Sequence, residues 1–206
     1  MKYPNLKEER NLWRKGYKNV VCLDEAGRGP LAGPVVACAV SLKKEIKGLK
    51  GIKDSKELTK KGREKFFKMF VNHQNIEWGL GIVGEKVIDK INILNATKLA
   101  MKKALIHLKK KGLNPEFLIL DGKMELDVEI PQISIIKADE KVLSCAIASI
   151  IAKVHRDKIM DSYDKDYPEY RFNKNKGYGT YYHYRALKRY GLSKIHRKSF
   201  MPIKLA

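Results

Sequence analysis

VVCLDEAGRGPLAG, residues 20–33, is a hydrophobic strand that delivers two adjacent carboxylates to a glycine-rich bend. Val20 to Leu23 are apolar, Asp24 and Glu25 follow, and Gly27-Arg28-Gly29-Pro30 breaks the run. Charge at the edge of a core needs a partner, and a metal ion is one of the few that satisfies several carboxylates at once. The stretch therefore reads as half of a metal site beside a surface that meets substrate. Consecutive strand residues point to opposite faces. Asp24 and Glu25 can then share a site only if the strand ends near Glu25, with Gly27 as the break.

Upstream, residues 1–17 read as a polar extension with a short helix packed by Leu6, Leu12 and Trp13. Downstream, Val35 to Leu42 reads as a second strand, joined to the first through the Gly/Pro bend. A helix through Phe66, Phe67 and Phe70 is capped by Ser55 or Thr59. A third strand spans about 76–83, and helices cover 85–90 and 92–111. Phe117 to Leu120 forms a fourth strand that ends at Asp121-Gly122. Ile133 to Ile136 forms a fifth, followed by Lys137-Ala138-Asp139. The helix from about 140 to 160 carries an apolar stripe of Leu143, Ala146, Ile147, Ile150, Ile151 and Val154. After Pro168 the chain turns basic and aromatic. Strands interleaved with helices, without a strict βαβ repeat, predict an α/β fold with a mixed sheet flanked by helices.

Bulk composition points to a polyanionic partner. There are 43 Lys and Arg against 23 Asp and Glu, a net charge of +20 and a pI near 9.8. A chain this basic commonly meets nucleic acid. Its 206 residues fit one domain, taken as residues 1–206 with a basic substrate-binding segment from about 163 to 206. Cys22, Cys38 and Cys145 all lie in apolar runs without metal-ligand spacing and read as reduced core residues. The charged N-terminus has no signal-like apolar region, and no run reaches membrane-spanning length. The expectation is a cytoplasmic monomer with no membrane contact.

Acids stand at three predicted strand ends: Asp24-Glu25, Asp121 and Asp139. Neighbouring strands in one sheet end close together, so these side chains converge although far apart in sequence. Such a set suits Mg²⁺ or Mn²⁺, hard ions that prefer oxygen ligands. Two such ions ~3.5–4 Å apart activate water and stabilise a leaving oxygen in phosphodiester hydrolysis. The bend Gly27-Arg28-Gly29 lets a ligand backbone approach, and Lys56 and Lys176, in basic loops, read as phosphate contacts. His183 and His196, in the basic tail, are candidates to meet phosphate.

The motifs form an ordered set. DEAGRGPLAGPVVA at 24–37, DSK at 54–56, NATKLAM at 95–101, LDG at 120–122 and KAD at 137–139 come first. ASIIAKVHRD at 148–157, KGYGT at 176–180 and IHRKSF at 195–200 follow. The set resembles type 2 ribonucleases H, specifically the ribonuclease HII family. The resemblance implies a ribonuclease H-like fold and cleavage of RNA in RNA–DNA hybrids. It also implies incision at single ribonucleotides in duplex DNA, leaving 5′-phosphate and 3′-hydroxyl ends. By motif it makes Asp24, Glu25, Asp121 and Asp139 the metal-binding and catalytic acids. Gly27, Arg28 and Gly29 would contact the ribonucleotide, and Tyr178 would pack on the sugar at the junction. The chain departs from the family pattern at Glu140, at Ser144-Cys145-Ala146-Ile147 and at Asn175.

Other patterns are weaker. Gly79-Leu80-Gly81-Ile82-Val83-Gly84 fits G-x-G-x-x-G, but Lys102-Lys103-Ala104 stands where a dinucleotide fold needs an acid. These glycines read as close strand packing, and no nucleotide cofactor is expected. Arg156 and Asp157, about five helical turns beyond Asp139, read as structural. A non-catalytic RNA binder would explain the charge but has no use for acids at three strand ends. A DNA nuclease of the same fold is the other rival.

Overall fold

A computed structural model describes residues 3–43, 45–46, 52 and 58–201. The elements run α1 (Lys7–Arg14), β1 (Val20–Ala26), β2 (Val35–Leu42), α2 (Lys60–Val71), β3 (Ile76–Val83) and α3 (Glu85–Lys110). There follow β4 (Phe117–Asp121), β5 (Gln132–Ile135), α4 (Ala138–Lys141), α5 (Leu143–Asp166), α6 (Phe172–Asn175) and α7 (Tyr181–Tyr190). The strands form one mixed sheet in the order β3-β2-β1-β4-β5. β1 is antiparallel to β2 and parallel to β4, which is parallel to β5. Helices cover both faces, as expected, and no helix among the described residues is long and apolar enough to cross a membrane.

Alternation along β1 assigns its faces. Val21 and Leu23 pack with Ala100, Met101, Ala104 and Leu108 of α3. Cys22 faces the other way, in a cluster with Ile119 and Cys145 at the first turn of α5. The apolar stripe of α5, Ile147, Ile150, Ile151 and Val154, packs with Cys38 and Val40 of β2 and Phe67 and Phe70 of α2.

Three local expectations change. β1 runs one residue past Glu25, to Ala26, so Glu25 stays in the ladder, paired through Glu25↔Ala37 and followed by Ala26↔Val36. The turn comes at Gly27, with φ of +99°. The helix expected from about 140 is split at Val142, whose extended backbone (φ −111°, ψ 123°) separates α4 from α5. The N-terminal extension bridges the split. Asn5 N–H donates to Lys141 O (3.0 Å), and Leu143 N–H donates to Asn5 O (3.0 Å). Buried Glu9 accepts from Ser144 N–H (2.9 Å) and Oγ–H (2.8 Å), so α1 caps α5 from a distance. Third, Cys22 and Cys145 are joined in a disulfide, and only Cys38 is free. The alternation that turns Cys22 toward α5 creates this pairing across 123 residues, with Cα atoms 5.1 Å apart.

Other details hold. Thr59 caps α2 by accepting from Gly62 N–H (3.1 Å), whereas Ser55 lies outside the described residues. The two helices expected at 85–111 are the two halves of α3, kinked at Asn92, whose Oδ1 accepts from Asn95 N–H (3.0 Å). The glycines of the G-x-G-x-x-G run pack β3 on α3. A methyl group on Gly81 would overlap the Ala100 carbonyl and lie 2.7 Å from the Ala104 nitrogen. Gly81→Ala is expected to lower the unfolding free energy by about 1–3 kcal/mol through overpacking. Urea denaturation would show it as a lower midpoint at unchanged slope. A wild-type midpoint would mean that α3 can move away.

Candidate active site

The parallel pairing of β1 with β4 ends at Leu23↔Leu120. Asp24 and Asp121 each stand one residue beyond that last rung, at equal height. Both point to the α5 face, because Leu23 and Leu120 share the α3 face. Asp139 reaches them from α4. Asp121 Oδ1 accepts from Ala138 N–H at 2.6 Å and so ties the start of α4 to the end of β4. Asp24, Asp121 and Asp139 each offer a carboxylate oxygen, and the three oxygens lie within 4.8 Å of one another.

Asp24 and Asp139 are buried, at 4% and 3% exposure. Burial pushes the Asp24 carboxyl well above the usual range, and the charges of Glu25, Asp121 and Asp139 push it further. The Ser149 hydroxyl bonds to Asp24 and opposes the rise. A hard divalent cation fits this donor set: it needs oxygen ligands and would relieve the mutual repulsion. Glu25 stands apart from the three, because the unbroken strand turns it to the opposite face. Its Oε1 accepts from Arg28 Nη1 at 3.3 Å. Glu25 nonetheless lines the same cleft of about 230 Å³, with Asp24, Asp121, Gly27, Arg28, Gly29 and Tyr178.

Two buried arginines build the cleft wall. Arg197 donates from Nε to Gly33 O (2.9 Å), from Nη1 to Arg28 O (3.0 Å) and from Nη2 to Gly27 O (2.6 Å). Arg156 donates from Nε to Pro34 O (3.0 Å), from Nη1 to Lys176 O (2.9 Å) and from Nη2 to Ala32 O (3.1 Å). Both side chains are fully buried. Gly27 must lack a side chain here, because a Cβ would overlap Arg156 and sit 2.7 Å from Pro34 O. Residues 31–33 and 195–197 are stitched together by backbone bonds, which brings the last motif onto the first. Tyr178, 45% exposed, faces Gly29, with its ring 3.8 Å from where a Cβ would stand.

A model of the family described as Ribonuclease HII matches residues 21–203. The chain belongs to the ribonuclease HII family. It is 48% identical over 193 residues to the ribonuclease HII of Clostridioides difficile (strain 630), covering 94% of this chain and 74% of that one. With the ribonuclease HII of Acetivibrio thermocellus the identity is 52% over 192 residues, covering 93% and 73%. The crystal structure of the ribonuclease H2 from Pyrococcus horikoshii OT3 superposes with a TM-score of 0.70 at 27% identity, covering 91% of this chain and 96% of that one. The fold is therefore ribonuclease H-like, and the chain is a ribonuclease H, a hydrolytic endonuclease.

Lys176 of KGYGT stands on the loop that carries Tyr178. Its ammonium is paired with Asp161, its side chain is 12% exposed, and its carbonyl accepts from Arg156 Nη1. Lys56 lies outside the described residues. Glu140 turns away from the acids and pairs with Lys137 at 2.7 Å. Asn175 orders the loop: its Oδ1 accepts from Gly177 N–H (2.8 Å) and its Nδ2 donates to Tyr170 O (2.7 Å). His183 and His196 do not reach toward phosphate but are buried against each other. The sequence reading missed Ser149 and Lys153, which line the cleft from α5. Lys153 pairs with Asp157 at 2.8 Å. Ser149, Lys153 and Asp157 recur every four residues along α5, and that polar stripe was the available signal.

Proposed function

We propose that the chain cuts the RNA strand of RNA–DNA hybrids and incises at single ribonucleotides embedded in duplex DNA. The reading is carried by three carboxylates whose oxygens lie within 4.8 Å of one another, two of which, Asp24 and Asp121, line a cleft walled by the Gly27–Gly29 bend and Tyr178. Asp24, Asp121 and Asp139 would hold Mg²⁺ or Mn²⁺, with Glu25 as the fourth acid at the rim of the cleft. Two such ions, when bound, supply an activated water and stabilise the leaving 3′ oxygen, giving 5′-phosphate and 3′-hydroxyl ends. The bend offers backbone N–H groups to the ribose 2′-OH and its phosphates, and Tyr178 packs on the sugar. The 2′-OH is the one group that separates a ribonucleotide from DNA at a single position. The reading takes residues 1–206 as one catalytic domain and a monomer, with the segment from about 163 to 206 completing the nucleic-acid surface.

Three duplexes test it in Mg²⁺ and in Mn²⁺: all-DNA, RNA–DNA hybrid, and DNA with one ribonucleotide. Incision of the second and third but not the first is expected. Cleavage of all-DNA duplex at a comparable rate would overturn the proposal in favour of a DNA nuclease.

A further inference from the structure

Tyr178 stands between Gly177 and Gly179, so its own segment has little intrinsic stiffness. Its carbonyl is held by Thr180 N–H (2.8 Å), which moves with the loop, and by His183 Nδ1 (2.9 Å) from α7. His183 Nε2 lies 2.9 Å from His196 Nε2. His196 Nδ1 in turn receives the Ser193 backbone N–H at 2.9 Å, and the Ser193 hydroxyl, 2.8 Å away, can donate to the same lone pair. Both rings are fully buried against Tyr170 and Phe172.

These partners leave one arrangement of protons. A backbone N–H can only donate, so His196 Nδ1 carries no hydrogen and Nε2 carries it. That hydrogen points at His183 Nε2, which must accept, so the His183 hydrogen sits on Nδ1 and is donated to Tyr178 O. Reversing either ring sets two N–H groups, or two lone pairs, against each other. Burial pushes both imidazoles down, and the neighbouring ring holds His196 at about 4, so the pair is neutral near pH 7.

We infer that His183 and His196 are positioning residues that fix the Tyr178 backbone from the packed C-terminal segment, and thereby set discrimination for the ribonucleotide junction. The inference rests on the proposed role of Tyr178 at the sugar.

Two experiments test it. Nitrogen-15 NMR of the wild-type imidazoles should find the Nδ1–H form at His183 and the Nε2–H form at His196. Opposite tautomers would overturn the relay whatever Tyr178 does. The second compares two variants. An asparagine amide can take the place of Nδ1, and a glutamine amide that of Nε2. His183→Asn should keep kcat/KM on the single-ribonucleotide duplex. His183→Gln should lower it about fivefold to tenfold, as one lost hydrogen bond does. In a Tyr178→Ala background His183→Gln should add almost nothing, with melting temperatures recorded for all variants. Equal losses in the Asn and Gln variants, or losses that multiply with Tyr178→Ala, would overturn the relay alone. A wild-type kcat/KM in Tyr178→Ala would instead overturn the role of Tyr178, and the inference with it.

Discussion

Asp121→Asn is expected to abolish measurable hybrid cleavage, a loss of about 10³-fold or more, while the protein still folds and binds hybrid. The substitution keeps shape and removes one negative charge from the proposed metal site. A ligand to such an ion supports several kcal/mol of transition-state stabilisation, and about 4 kcal/mol corresponds to about 10³-fold. Folding should survive because the Asn side-chain oxygen can still accept the Ala138 N–H that ties α4 to β4. Metal-free stability should stay level or rise, since the Asp121 charge is one of those that push the buried Asp24 carboxyl up. Single-turnover cleavage, fluorescence anisotropy with labelled hybrid, and the Mn²⁺-induced shift in Tm would be measured together. Cleavage at the wild-type rate would remove Asp121 from the site. Lost hybrid binding with an unchanged Mn²⁺ shift would assign it to substrate contact instead.

The part of this site legible in the sequence was the part with local pattern. Apolar runs that stop at an acid mark Asp24 and Asp121 as strand ends, and parallel strands place their ends side by side. β2 and β3 have the expected limits, because continuous β-rich runs bounded by Gly and Pro leave few alternatives. The break does come at Gly27, but β2 continues the ladder through Ala26↔Val36 and so keeps Glu25 in the strand. Two adjacent acids then face opposite ways, and the third close carboxylate is Asp139 rather than Glu25. Asp139 stands on the short helix α4, set off from α5 at Val142, where Asn5, far off in sequence, bridges the break. The Cys22–Cys145 disulfide, the His183–His196 pair and the arginine forks likewise join distant residues. Each is a side-chain contact without periodicity. The Lys176–Asp161 pair is of the same kind: a basic loop marks where charge is available, not which acid of the fold faces it.

Arg197→Lys should both destabilise the fold and weaken substrate binding, more than its conserved charge suggests. The guanidinium is planar and satisfies three carbonyls at fixed angles, those of Gly27, Arg28 and Gly33. A lysine ammonium in the same tunnel can satisfy one of them well. Two buried carbonyls left unpaired cost about 1–3 kcal/mol each, so a loss of about 2–6 kcal/mol is expected. The charge itself is no source of stability here. Burial and the neighbouring Arg156 guanidinium lower the Arg197 pKa to about 9, so the folded protein holds two like charges beneath the bend at a cost. That cost has a functional counterpart. In a trans peptide the N–H points opposite to the C=O, so drawing the carbonyls of Gly27 and Arg28 inward turns the amides of Arg28 and Gly29 outward. Outward amides above a buried positive field suit a phosphate or a 2′-OH. Arg197→Lys should therefore raise KM for the single-ribonucleotide duplex with a smaller change in kcat, alongside the drop in urea midpoint. Unchanged stability would mean that water or a shifted backbone replaces the fork. A loss confined to kcat would place the effect at the acids rather than at the bend.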